Sequence, residues 1–303
     1  MAEGQAKVDG ERTFGRVSIV MPHFNDRENL DVCLGLLEQQ TFPHERTEII
    51  VADNGSACGI EAVRETVRGR ARVIEATERG AGPARNAGVH ASTGEALAFI
   101  DSDCRPDPRW LEEGLKALQS ADFVGGRVDV LVDDPDRLTA AEAFETVFSF
   151  RNDRYVEEKR FTVTASMFVW RTVFDAVGGF QNGVPEDLDW CQRATAKGFT
   201  IRYAPDSIVG HPARRTMPEL RRKARRLTLE WSEGAHRRGE SAAAQIARQW
   251  LVLFSIAPHT LSVLMTDRLK GMPNRLKAIA ALAEIRAYRF AIGHRIALQR
   301  PGS

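Results

Sequence analysis

The sequence predicts a doubly wound α/β fold, a mostly parallel sheet with helices on both faces, followed by a helical, basic C-terminal region. Three observations carry that reading. Short β-branched runs alternate with segments of helical apolar spacing between residues 17 and 100. Each run ends in a polar cluster where, in such sheets, ligands bind beyond the carboxyl ends of the strands. Charge is divided along the chain: residues 1–210 hold 24 Lys/Arg against 35 Asp/Glu, and residues 211–303 hold 18 against 6.

In order, residues 1–14 are polar and Gly-containing and are expected to fray. Val17 to Met21 is the first strand, stopped by Pro22, and Asp26 to Gln40 follows with Leu30, Cys33, Leu34 and Leu37 at helical spacing. Ile49 to Ala52 is the second strand, ended by the turn-rich Asp53-Asn54-Gly55-Ser56. A helix over Ile60 to Arg68, a strand over Ala71 to Glu75, a helix over Pro83 to Ala91 and a strand over Ala96 to Ile100 continue the alternation. Asp101-Ser102-Asp103 closes that last strand. Glu186-Asp187-Leu188-Asp189-Trp190 opens a further helix, and Thr200 to Tyr203 reads as a strand with His211 behind it.

Composition narrows the class. With 43% apolar and 27% charged residues in 303, the chain is neither disordered, fibrous nor a polytopic membrane protein. Four scattered cysteines (Cys33, Cys58, Cys104, Cys191) show no zinc-ribbon or disulfide spacing, and the first residues lack a signal-peptide pattern, so a cytoplasmic, reduced setting is expected. No period of self-similarity occurs.

The polar strand ends bring Pro22-His23-Phe24-Asn25, Asp53-Asn54-Gly55-Ser56 and Asp101-Ser102-Asp103 to one edge of one sheet. Carboxylates gathered there repel unless cations or donors compensate. Two acids one residue apart offer hard oxygen ligands to Mg²⁺ or Mn²⁺ while leaving positions open for phosphate oxygens. Together with Gly80-Ala81-Gly82-Pro83-Ala84-Arg85-Asn86-Ala87-Gly88 and Glu186-Asp187, in that order over about residues 16–211, these segments resemble the family 2 glycosyltransferases of the GT-A fold. Those enzymes use a nucleotide-diphosphate sugar, so the resemblance implies an inverting transfer to a hydroxyl acceptor in polysaccharide or glycolipid assembly.

The resemblance also implies roles. Pro22, His23, Phe24, Asn25 and Glu28 match the first nucleotide contact, and Asp53 the base- and ribose-facing carboxylate, with an Asx-type turn cap as its alternative role. Arg85 answers a phosphate or the metal-site acids, and Asp101 and Ser102 complete the nucleotide set. Asp103, Asp101 and His211 match the metal site for Mn²⁺ or Mg²⁺. Asp187 matches the catalytic base with Glu186 as its partner; Asp189 and Trp190 would flank the acceptor, Trp190 by an aromatic face or by packing in the core. Acids in a first helical turn also complement the dipole, which is the competing account of 186–189. The Gln-x-x-Arg-Trp segment of processive members is out of register by one residue in Gln245-Ile246-Ala247-Arg248-Gln249-Trp250, which implies single addition.

Three regions follow: 1–14, a glycosyltransferase domain over 15–215, and the basic C-terminal region over 216–303. Within the last, Gln249 to Thr266 has 18 residues without Asp, Glu, Lys or Arg, interrupted by Pro258 and His259. That is short of the about 20 needed to span a bilayer. It reads as an interfacial element at an anionic membrane or as a homodimer surface, with basic flanks that suit lipid head groups. No base-reading motif accompanies those flanks, so nucleic acid is not an expected partner. A non-catalytic sugar- or nucleotide-sugar-binding protein is the alternative; a nucleotidyltransferase would carry a Gly-rich, basic loop after the first strand, and Met21-Pro22-His23-Phe24-Asn25 is not one.

Overall fold

Eight strands form one sheet in a computed structural model that describes residues 15–299; the expected fraying of 1–14 falls outside those residues. The strands are β1 (Val17–His23), β2 (Thr47–Asp53), β3 (Arg72–Glu75), β4 (Ala96–Phe99), β5 (Arg105–Pro106), β6 (Phe123–Leu131), β7 (Met167–Trp170) and β8 (Ile201–Pro212), arranged 3-2-1-4-7-6-8-5. Strands β3, β2, β1 and β4 are parallel, as the alternation predicts. Strand β7 runs antiparallel between β4 and β6, and β6 is parallel to β8.

Helices α1 (Arg27–Leu37), α2 (Ile60–Val67), α3 (Ala81–Ala91) and α4 (Trp110–Leu118) follow the strand runs. Their apolar spacing is consumed in the core: Leu30, Cys33, Leu34 and Leu37 of α1 are all buried. Asp26 caps α1 by accepting from the Asn29 amide. Then come α5 (Ala140–Phe148), α6 (Asn152–Lys159), α7 (Arg171–Val177) and α8 (Glu186–Ala196). The main core runs through β1, β4, β6 and β7, where Trp110, Phe99, Phe123, Phe168 and Trp190 are fully buried.

The C-terminal region is helical, comprising α9 (Met217–Arg237), α10 (Ala242–Phe254), α11 (Ile256–Met265) and α12 (Gly271–Gln299). It is joined to the sheet through α5: Ala141 packs with Leu220, Ala224 and Ile285, and Ala143 and Val147 pack with Val263 and Ala278. Two local expectations are corrected. His211 lies inside β8, because that strand continues to Pro212 alongside β6, rather than behind a strand ending at Tyr203. The uncharged stretch breaks at Ser255, not at Pro258, because proline in the first turn of α11 has no intrahelical N–H to lose. Among the described residues no helix is long and apolar enough to cross a membrane.

Candidate active site

A cavity of about 890 Å³ opens at the carboxyl ends of β1, β2 and β4 and is roofed by α9 and α12. Its first wall comes from the loop after β1. His23 is buried with Nδ1 2.8 Å from Asp53 Oδ1, and the Asp26 amide donates to its Nε2 at 3.3 Å. That pattern assigns the proton to Nδ1. Phe24 is half exposed at the mouth, and the Arg79 guanidinium sits 5.1 Å from its ring centroid. The next residue, Asn25, takes a left-handed φ of 56°. Its amide donates to Ser56 Oγ and its Oδ1 accepts from the Ala57 amide, which ties the β1 loop to the β2 loop.

Asp53 is only 2% exposed, and its carboxylate accepts from the Ser56 amide and hydroxyl as well as facing His23. Burial alone would raise its pKa; the donors from Ser56 and His23 outweigh it and hold the carboxyl below its usual range. Asn54, not Asp53, lines the cavity, and its Oδ1 accepts from the Gly80 amide at 2.8 Å. A φ of 131° at Gly80, a conformation that favours glycine, lets α3 start directly against that loop.

Arg85 of α3 is nearly buried. It donates to Asp101 at 2.5 Å and to Glu186 Oε1 at 3.1 Å, so the guanidinium is bound to the site's acids rather than held free for a phosphate. Asp101, Ser102 and Asp103 all line the cavity. Across from them His211 places Nε2 3.6 Å from Asp103 Oδ1, while its Nδ1 lies 2.9 Å from the Pro212 carbonyl. A carbonyl partner makes Nδ1 the donor and leaves Nε2 facing Asp103, as a donor when the ring is protonated and as a ligand atom for a cation when it is not. The Phe150 ring packs on the imidazole at 4.6 Å.

These groups are suited to a divalent cation. Asp103, Cys104 and His211 bring possible ligand atoms within 4.8 Å of one another. Burial raises the Asp103 pKa; His211 offsets this, while Asp101 and Asp26 add like charge. A cation would relieve that crowding. The Cys104 thiol is buried and pushed well up by desolvation and by Asp101 and Asp103; sulfur is a soft ligand, and the oxygen and imidazole groups are the ones that suit a hard ion.

The first turn of α8 supplies the second group of acids. Asp187 accepts from the Leu188 amide at 2.8 Å, and its carboxyl is raised to about 6 by burial and by the adjacent Glu186. A carboxylate of that strength takes a proton near neutral pH more readily than an ordinary aspartate. Glu186 and Asp187 line the cavity with Asp103.

Three further residues lie off the cavity, and Trp190 takes the core role of its two expected ones. Trp190 is fully buried, stacked on Phe174 at 5.7 Å, with Nε1 donating to the Gly178 carbonyl; it is a core residue. Asp189 pairs with Arg193 at 2.9 Å, and Arg193 in turn donates to the carbonyls of Val177 and Gly179. One turn of helix separates those partners, so Asp189 supports the 177–179 loop and does not line the cavity. Glu28 is exposed in the first turn of α1, where an acid complements the dipole, and it also lies off the cavity.

Sequence reasoning missed a buried ion network. Glu145 of α5 has no exposed side-chain surface and accepts from Arg214 Nη1 at 2.9 Å and Lys223 Nζ at 2.7 Å, both of which face the cavity. Nothing in the spacing of α5 marks Glu145, and Lys223 was legible only as one of many basic flanking residues.

The profile of glycosyl transferase family 2 matches residues 18–178. This chain is a family 2 glycosyltransferase. It is 34% identical over 206 residues to glycosyltransferase AglE of Haloferax volcanii, covering 65% of this chain and 67% of that protein. It is 30% identical over 189 residues to the pre-mycofactocin glycosyltransferase of Mycobacterium tuberculosis, covering 58% of this chain and 40% of that one. Among solved structures, the Pyrobaculum calidifontis mannosyltransferase PcManGT, in complex with GDP-Man and Mn²⁺, superposes with a TM-score of 0.56 at 22% identity. It covers 93% of this chain and 84% of that one. At that identity the likeness establishes the fold, which is GT-A.

Proposed function

We propose that this family 2 glycosyltransferase moves a hexosyl group from a UDP- or GDP-linked donor to a hydroxyl acceptor, once per binding event and with inversion. The observation that carries the reading is the convergence of Asp103, His211, Arg85, Glu186 and Asp187 on one cavity at the strand ends. Solved relatives carrying GDP-Man with Mn²⁺, and UDP in the case of S. aureus TarS, support the donor class.

The nucleotide base stacks on Phe24 beside Arg79, with Pro22, His23 and Asn54 forming the adjoining wall. Asp103 and His211 would hold Mn²⁺ or Mg²⁺, with Asp101 close by, and the ion would neutralise charge on the donor diphosphate. Arg85 fixes Asp101 and Glu186 relative to each other. Asp187 accepts the proton of the acceptor hydroxyl as its oxygen attacks the anomeric carbon from the face opposite the leaving diphosphate. One displacement of that kind inverts the anomeric centre.

The acceptor is assigned to a lipid-linked glycan at an anionic membrane surface. Leu251, Phe254 and Met265 of α10 and α11 are 71%, 66% and 76% exposed, and the exposed Arg268 and Lys270 follow them. Exposed large apolar side chains on α10 and α11, with cations following them, suit an interfacial helix pair.

The test is a panel of UDP- and GDP-sugars assayed for Mn²⁺-dependent nucleotide release by the wild type and by Asp103→Ala. Release by the wild type, lost in the variant, is expected; full activity in chelator or a wild-type rate in the variant overturns the reading.

A further inference from the structure

The cavity has a second cationic region, away from the strand-end acids. Arg226 and Trp231 of α9 and Ile285, Arg286 and Arg289 of α12 form its roof. Arg226 is 3.6 Å from Glu230. Arg286 and Arg289 face no carboxylate within salt-bridge distance among the described residues, and the Nε of each is buried without a hydrogen-bond partner. They lie one helical turn apart, where like charges repel. Burial, then Arg289, lowers the Arg286 pKa to about 10. Two desolvated, mutually repelling guanidiniums destabilise the free protein, and native interiors rarely leave such donors unpaired.

Resting on the donor reading above, we propose that Arg226, Arg286 and Arg289 form an acceptor subsite for a phosphate-type dianion, with Leu227, Trp231 and Ile285 against its apolar stem. The pairing supports a dianion: Glu230 answers Arg226, which leaves the Nε groups of Arg286 and Arg289 without a partner in the protein. Guanidinium forks bind phosphate oxygens in a bidentate manner. The donor diphosphate is served without these residues, by Asp103 and His211, which would hold the ion, and by Arg214 and by Lys223 of α9, which line the same cavity around Glu145. The roof lies on the Glu186–Asp187 side: Arg237 of α9 donates to the Asn182 carbonyl at 3.3 Å, in the segment that leads into the first turn of α8. An acceptor anchored there presents its hydroxyl toward Asp187.

Calorimetric titration in chelator compares geranyl phosphate, kept below its aggregation concentration, with geraniol and inorganic phosphate. The proteins are the wild type, Arg286→Gln/Arg289→Gln and the surface control Arg222→Gln/Arg225→Gln. Geranyl phosphate should bind the wild type and the control alike and bind the Arg286/Arg289 variant about tenfold or more weakly. Geraniol should bind all three weakly. Inorganic phosphate that matches geranyl phosphate, with the same loss in the variant, supports the subsite and assigns it to a water-soluble phosphorylated acceptor. Equal binding of geranyl phosphate by variant and wild type overturns the subsite, as does its displacement by UDP or GDP. Both nucleotides are titrated with Mn²⁺ in parallel. Unchanged nucleotide binding in the variant shows that it is folded; no nucleotide binding in the wild type overturns the donor reading, and the acceptor assignment falls with it.

Discussion

Replacing Glu145 by glutamine removes the carboxylate that Arg214 and Lys223 share. Burial opposes its ionisation, but Lys223 and Arg214 outweigh burial and lower the pKa from 4.5 to about 2. At 1.36 kcal/mol per tenfold, that difference is worth about 3 kcal/mol of folding stability at neutral pH. Breaking a buried pair by removing one partner gives a similar figure, about 3–5 kcal/mol. For a chain of this size the variant should unfold roughly 5–10 °C below the wild type. Since the folded pKa lies below the unfolded one, the stabilisation is complete above about pH 4.5 and is lost as pH falls through about 2. The gap in urea midpoint, followed by circular dichroism, should therefore be constant between pH 8 and 5.5 and narrow toward pH 3. Glu145→Leu combined with Lys223→Met should cost less than Glu145→Leu alone, because Arg214 is then the one cation stranded there rather than Arg214 and Lys223 together. A Gln variant with the wild-type midpoint at pH 7, or a gap that widens in acid, would refute the reasoning.

Asp187→Asn should reduce turnover about 10²–10⁴-fold while leaving Mn²⁺-dependent nucleotide affinity nearly unchanged; loss of binding along with turnover would make Asp187 a helix-start acid. In the wild type kcat/KM should fall as pH drops through about 6, where Asp187 gains its proton, and Glu186→Gln should move that limb lower by removing the neighbouring charge. A limb unmoved in Glu186→Gln excludes Asp187 as its source. Trp250, Leu253 and Phe254 replaced together by Ser should abolish co-sedimentation with anionic liposomes, and wild-type binding should weaken in high salt as each basic residue loses up to about 1 kcal/mol. A wild type that ignores such vesicles yet runs as a dimer broken by the same changes would assign the face to a second copy.

Local pattern determined much of this protein. The alternation from Val17 to Ile100 specified β1 to β4 and their helices, since apolar period and turn chemistry act over a few residues. The strand-end acids and Glu186-Asp187 were legible for the same reason: each is a short polar cluster at the end of a regular element. What sequence could not decide was where side chains spend their charge. Asp53 turned inward to Ser56 and His23, Arg85 was claimed by Asp101 and Glu186, and Trp190 closed the core against Phe174. Glu145, Arg286 and Arg289 carry no local signature, because what distinguishes them is burial and the partners they meet or lack across the packing of α5, α9 and α12. Hydrogen bonds and desolvation depend on neighbours brought together over a hundred residues of chain, and only the tertiary structure supplies those neighbours.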